Sequence, residues 1–157
     1  MSYSGTGEAN AVLRPADGVE PVQIRLSAAR FVAPGSMTAG RFGLFRWDMG
    51  PRAGGPAAHF HRTFSESFFV LSGTVRLYDG RTWVEGRAGD FLYVPEGGIH
   101  AFRNEAREAA SMLILFAPGP PREAYFTELA EINASGRTLS EDEWTELYAR
   151  HDQYMVG

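Results

Sequence analysis

Between residues 21 and 117 the chain runs in short apolar or alternating stretches broken by Gly, Pro and Asp. Side chains on a strand point alternately to opposite faces, so such runs predict strands. The candidates are "VQIRL" (22–26), "RFGLFRWDM" (41–49), "AHFH" (58–61), "ESFFVL" (66–71), "TVRLYD" (74–79), "RTWVE" (81–85), "DFLYV" (90–94), "HAFRN" (100–104) and "SMLILFA" (111–117). Asp79-Gly80 between two of them is a favoured two-residue hairpin turn. Many short strands joined by close turns predict an all-β antiparallel sandwich or barrel, and no helical pattern interrupts them.

The pattern changes at "APGPPREAY" (117–125). Pro121 fits the first turn of a helix in which Tyr125, Phe126, Leu129 and Ile132 follow helical spacing and Gly136 is the stop. Ser140 and Glu143 form a capping-box pattern opening a second helix, with Trp144, Leu147 and Tyr148 as its apolar face. Three parts result: a flexible polar arm over 1–20, a β-domain over 21–117 and a helical extension over 118–157 packed on it. The extension carries eight acidic and three basic residues. It reads as packing, with a lid or a dimer contact as the alternatives.

Composition narrows the chemistry. With 157 residues, 44% of them hydrophobic, the chain suits one domain with a real core. A formal net charge of −4 and no basic run argue against nucleic-acid binding. No stretch approaches the roughly 18 apolar residues of a membrane span. The N-terminus lacks the basic and apolar regions of a signal peptide, so a cytoplasmic protein is expected. There is no cysteine, and all 15 basic residues are arginine. Thiolate nucleophiles, Cys-ligated metals, Schiff bases and a phosphate-gripping lysine are therefore excluded.

Four histidines remain, at 59, 61, 100 and 151. His59 and His61 share a strand face. Glu66 lies an odd seven positions after His59, opposite in phase if one strand ran straight through. A reversal at "RTFS" (62–65) would return it to the histidines, and "PEGG" (95–98) would aim His100 inward. Three imidazoles and a carboxylate suit a divalent first-row metal. His151, on a charged helix, reads as a solvated surface residue, and Asn104 as a structural one.

These residues carry a family resemblance. "HFHRTFSE" with Gly73 resembles the first cupin motif, HxH followed by Glu and then Gly. "GDFLYVPEGGIHAFRN" matches the second through Gly89, Pro95, Gly97, His100 and Asn104. The leading glycine of the first motif is missing, because Ala53 stands there and Gly54 or Gly55 must serve that turn. The resemblance implies a double-stranded β-helix, or jelly-roll, barrel with one metal held by His59, His61, Glu66 and His100. Fe, Ni, Co, Mn and Zn all suit such a site.

Phe68 shares the inward face with Glu66, Phe102 with His100, and Met112, Ile114 and Phe116 line one face of the late strand. An earlier strand adds either Phe45 and Trp47 or Phe42 and Leu44. These residues predict an apolar, aromatic pocket with few charges, suited to a small aromatic or enolic substrate. Motifs, length and tail are similar to single-domain cupins of the quercetin 2,3-dioxygenase-like group. That likeness implies dioxygenase chemistry on a phenolic or flavonol-like substrate, with dioxygen as co-substrate and Glu66 as both ligand and general base. The alternatives are a cyclase, isomerase or decarboxylase of an enolisable substrate, or a non-catalytic binding cupin. Relatives of this kind and exposed sheet edges imply a homodimer.

Overall fold

In the computed structural model, which describes residues 2–157, the run of short strands becomes two facing antiparallel sheets capped by two helices. The first sheet has six strands. They are β1 (Pro21–Ile24), β2 (Ser27–Ala33), β3 (Gly43–Met49), β10 (Ala110–Ala117), β5 (Ser65–Ser72) and β8 (Phe91–Val94), in the spatial order β1-β2-β3-β10-β5-β8. The second sheet has three: β7 (Trp83–Arg87), β6 (Thr74–Tyr78) and β9 (Ala101–Arg103), in that order. A two-stranded ribbon joins β4 (His59–Phe60) to the terminal β11 (Tyr154–Met155). Among the described residues the sheets do not close into one hydrogen-bonded barrel. The architecture is a double-stranded β-helix built as an open sandwich.

Alternation sets the core. On β3 the buried positions are Gly43, Phe45, Trp47 and Met49, so Phe45 and Trp47 face inward while Phe42 is exposed. Rows of inward side chains cross the large sheet. Phe45 is opposite Ile114, which is opposite Phe68, and Trp47 is opposite Met112, which is opposite Val70. The next row runs Gly43, Phe116, Glu66, Val94, and it places one carboxylate in an otherwise apolar layer. From the small sheet, Val75, Leu77 and Phe102 complete the core.

The helices are α1 (Arg122–Ser135) and α2 (Glu141–Arg150). Pro121 occupies the N-cap of α1, one position before the expected first turn. Gly136 ends the helix in the left-handed conformation with φ 69°. The expected capping box opens α2: Glu143 N–H donates to Ser140 Oγ at 3.2 Å, and Ser140 N–H donates to Glu143 Oε2 at 2.8 Å. Phe126 of α1 enters the sandwich, with ring centroids 5.3 Å from Phe45 and 5.2 Å from Trp47. The helices thus cap the core. Among the described residues no helix is long and apolar enough to cross a membrane.

Local readings shift in four places. The turn after β6 centres on Gly80 and Arg81, because the Asp79 carboxylate accepts from the N–H groups of Arg81 and Thr82 and so holds Asp79 outside the turn. Strand β2 has no counterpart among the expected runs, since "SAARFVA" lacks a period-2 apolar signal. Strand β11 is two residues long, too short for any pattern. His151 is not a free surface residue. Its ring is largely buried, donates to Glu128 Oε2 at 2.8 Å and packs 5.1 Å from Tyr125.

Candidate metal centre

His59 lies on β4, His61 just after it, Glu66 at the second position of β5, and His100 immediately before β9. Backbone pairing joins the pieces. His59 and His100 form an antiparallel bridge, exchanging N–H···O bonds of 3.0 and 2.9 Å, which brings the two loops together. Residues 62–64 reverse the chain, so the odd interval between His59 and Glu66 delivers both to one point. One ligand atom from each of the four residues lies within 4.8 Å of the others, and all four residues are at most 5% exposed.

The outer nitrogens are fixed. His59 Nδ1 lies 2.8 Å from the Ala57 carbonyl, His61 Nδ1 2.7 Å from Asp152 O, and His100 Nδ1 2.9 Å from Gly98 O. A carbonyl only accepts, so each Nδ1 carries the proton and donates. In a neutral ring Nε2 is then a lone pair. Two of these nitrogens face one carboxylate oxygen, with Glu66 Oε2 at 2.9 Å from His61 Nε2 and 2.6 Å from His100 Nε2. Lone pair against anion at such distances repels unless a proton or a metal ion is shared by the two groups. A buried, unpaired carboxylate costs on the order of several kcal/mol. A divalent cation removes both penalties, and the anchoring of each imidazole through its outer nitrogen is the usual support of a metal-binding histidine. The buried His-His-Glu-His group therefore suits a metal ion.

Protons answer the same electrostatics when no metal is bound. Burial alone would raise the carboxyl of Glu66, but His100 and His61 outweigh it and hold it well below the usual range. Burial opposes protonation of His100, yet the adjacent Glu66 carboxylate lifts it above its ordinary value. His59, desolvated and beside His100, is lowered to about 3.

The expected pocket residues Phe68, Phe102, Met112, Ile114 and Phe116 are all buried. Phe68 lies 5.9 Å from the His100 ring and 5.6 Å from Phe102, and Phe116 is the register partner of Glu66. The wall also contains Phe64, stacked 4.4 Å from His61. Two surface concavities lie elsewhere, one around Arg52, Arg103 and Asn104 and the other around Phe31, Glu128 and Arg150. Asn104 is structural: its Nδ2 donates to the carbonyls of Gly50 and Glu108, and its Oδ1 accepts from Ala106 N–H.

Sequence reasoning missed the contribution of the C-terminus. The carbonyl that holds His61 belongs to Asp152, 91 residues away. The Asp152 carboxylate also accepts from the N–H groups of Arg62 and Thr63 and from the Thr63 hydroxyl, and β11 pairs with β4. Arg122, at the start of α1, is 4% exposed beside the same site. Neither residue stands in a motif, and only their fold-level neighbours reveal them.

Residues 45–116 match the family model described as Cupin domain. A quercetin 2,3-dioxygenase from Bacillus subtilis (strain 168) is 28% identical over 90 residues, which is 57% of this chain and 26% of the relative. An uncharacterized protein from Aquifex aeolicus (strain VF5) is 32% identical over 60 residues, 38% of this chain and 49% of the relative. The chain thus spans about a quarter and about half of the lengths of these curated relatives. Among solved structures, a predicted oxalate decarboxylase from Thermotoga maritima aligns with TM-score 0.63 and 16% identity, over 68% of this chain and 99% of that one. The polyketide cyclase RemF from Streptomyces resistomycificus aligns with TM-score 0.60 and 21% identity, over 91% and 94%. At these identities the structural likeness speaks for the fold.

Proposed function

We propose that the chain, whose residues 45–116 match the Cupin domain model, is a metal-dependent enzyme, a dioxygenase acting on a phenolic or enolic, flavonol-like small molecule. The observation that carries this reading is the buried convergence of His59, His61, Glu66 and His100, with every Nδ1 tied outward, inside a wall of aromatic side chains. The similarity to a quercetin 2,3-dioxygenase over 90 residues supports the reaction class.

His59, His61, Glu66 and His100 would hold one divalent first-row metal (Fe, Ni, Co, Mn or Zn), which when bound supplies Lewis acidity and a site for dioxygen chemistry. The protein's part is positioning and proton transfer. Glu66 Oε2 is engaged by two imidazoles, whereas Oε1 makes no hydrogen bond among the described residues. Oε1 is the proton acceptor: it takes the hydroxyl proton of the substrate, leaving the oxygen's electron pair on the enolate. Phe68, Phe102, Met112, Ile114 and Phe116 pack the flat ring and exclude water. Their apolar surface strengthens every electrostatic contact within.

A second reading is a cyclase acting on a polyketide-like substrate. It is favoured by the extent of the alignment with the polyketide cyclase, which reaches 91% of this chain. The same Glu66 would then move a proton without oxygen. Metal-loaded protein given a flavonol decides between the two. Oxygen uptake with product formation, lost in Glu66→Gln while the fold remains, is the expected result. Equal turnover under argon would overturn the dioxygenase and favour the cyclase. Binding with no turnover under either gas would mark a non-catalytic binding protein. The expected homodimer is checked by light scattering, as a mass twice 17.3 kDa.

A further inference from the structure

We propose that Arg122 is the specificity residue for an anionic oxygen of the substrate, so that the molecule bound beside the metal site is an enolic or phenolic acid rather than a neutral ring. This rests on the enolic-substrate reading above and sharpens it.

Arg122 opens α1, yet only 4% of it is exposed. A guanidinium has five N–H donors and is always charged. Nη1 donates to the His151 carbonyl at 2.9 Å and Nη2 to Gln153 Oε1 at 3.2 Å, both uncharged partners. Nε is buried with no partner. Among the described residues no carboxylate lies within ion-pair distance of this cation. Four rings surround it instead, Tyr125 at 4.2 Å, Phe116 at 5.3 Å, Phe64 at 5.4 Å and Phe126 at 5.5 Å. Aromatic faces attract a cation, but they accept no full hydrogen bond and carry no compensating charge.

Two of those rings locate the charge. Phe64 stacks on His61, and Phe116 is the strand neighbour of Glu66. Arg122 is therefore one ring away from two of the four converging residues. Besides the Tyr125 phenol, the acids whose fields reach it are Glu66 and Asp152, and both carboxylates are engaged elsewhere: Glu66 with His61 and His100, Asp152 with Arg62 and Thr63. The cation is thus buried, unpaired and short of acceptors beside the site. A structural strap between α1 and the tail needs only two neutral donors, which a glutamine also supplies. The charge and the spare Nε–H are what a carboxylate or enolate oxygen would use, since arginine matches carboxylate geometry with two parallel donors.

The test uses the zinc-loaded 157-residue chain and two probes with the same hydroxypyranone ring. Kojic acid carries a hydroxymethyl group where comenic acid carries a carboxylate. Calorimetry is expected to show wild-type protein binding comenate about tenfold or more tighter than kojic acid. Arg122→Gln should bring that ratio to about one while kojic acid affinity stays within about twofold. In wild-type protein the Arg122 Nε–H resonance should move with comenate and stay with kojic acid, which keeps the question answerable if the variant fails to fold. Equal binding of the two probes by wild type, an unchanged ratio in Arg122→Gln, or an unmoved resonance overturns this proposal alone. Failure of both probes to bind overturns it together with the enolic reading.

Discussion

Gly55 illustrates how closely single residues are specified near this centre. A Cβ there would stand 2.0 Å from the carbonyl oxygen of Phe102, and backbone cannot yield as a side-chain tip does. At Gly54 nothing lies within 4 Å. Gly55→Ala should therefore cost about 3 kcal/mol or more, and Gly54→Ala within about 0.5 kcal/mol, in matched denaturant melts. Equal effects would mean that the segment before His59 does not hold its close approach to Phe102. Of the two glycines that could serve the turn in place of Ala53, Gly55 is the one whose position has no room for a Cβ. At this scale the four converging residues were legible, because histidines and a glutamate at fixed intervals in two blocks leave little freedom. Arg122 and Asp152 were not. An arginine after three prolines and an aspartate after a helix look like solvated punctuation until distant contacts bury them. His151 was misread for the same reason: its partner Glu128 is 23 residues away on another helix.

Among the elements, strands with clean alternation, such as β3 and β10, could be read directly, and so could α2 with its capping box. Strand β2, rich in small residues, and the two-residue β11 are fixed by their neighbours and leave no local pattern. Yet β11 has the larger consequence. It holds the histidine strand through pairs with His59 and Phe60, and Val156 N–H adds a 2.9 Å bond to the Ala58 carbonyl. Asp152, two residues before the strand, fixes the tautomer of His61. Deleting residues 152–157 should therefore weaken Co(II) binding by about 10–100-fold and alter its visible absorption bands, while the β-sandwich keeps its far-ultraviolet spectrum. Unchanged affinity and spectrum would show that the tail is only covering. Arg122 keeps its bond to the carbonyl of His151, outside the deletion, and loses the one to Gln153.

Across the whole molecule, burial of the centre makes entry a question of how firmly the helical cap is held. All four converging residues are at most 5% exposed, so a ring-sized ligand reaches them only when something moves. Strands of the sandwich are pinned by backbone ladders, whereas α1 packs on the core through Phe126 and is clasped to the end of α2 by polar contacts. Glu128 accepts from Arg150 at 2.7 and 3.3 Å and from His151 at 2.8 Å. The Arg150 bonds, joined by His151, hold the Glu128 carboxyl below its ordinary 4.5 against the opposing effect of burial. A depressed carboxylate stabilises above the unfolded value and loses that contribution as pH falls through the folded one. The clasp is thus fully present at pH 7 and lost in the range below 4.5. Because it is part-exposed, it contributes no more than about 1 kcal/mol. Glu128→Gln should then release bound metal to a chelator up to about fivefold faster at pH 7, with equilibrium affinity unchanged because no converging residue is touched. In the metal-free protein, melts of the variant and wild type should differ at pH 7 and converge well below pH 4.5. Faster release without altered affinity assigns the clasp to access. Equal release rates would place the opening motion elsewhere, and altered affinity would mean that the cap shapes the centre itself.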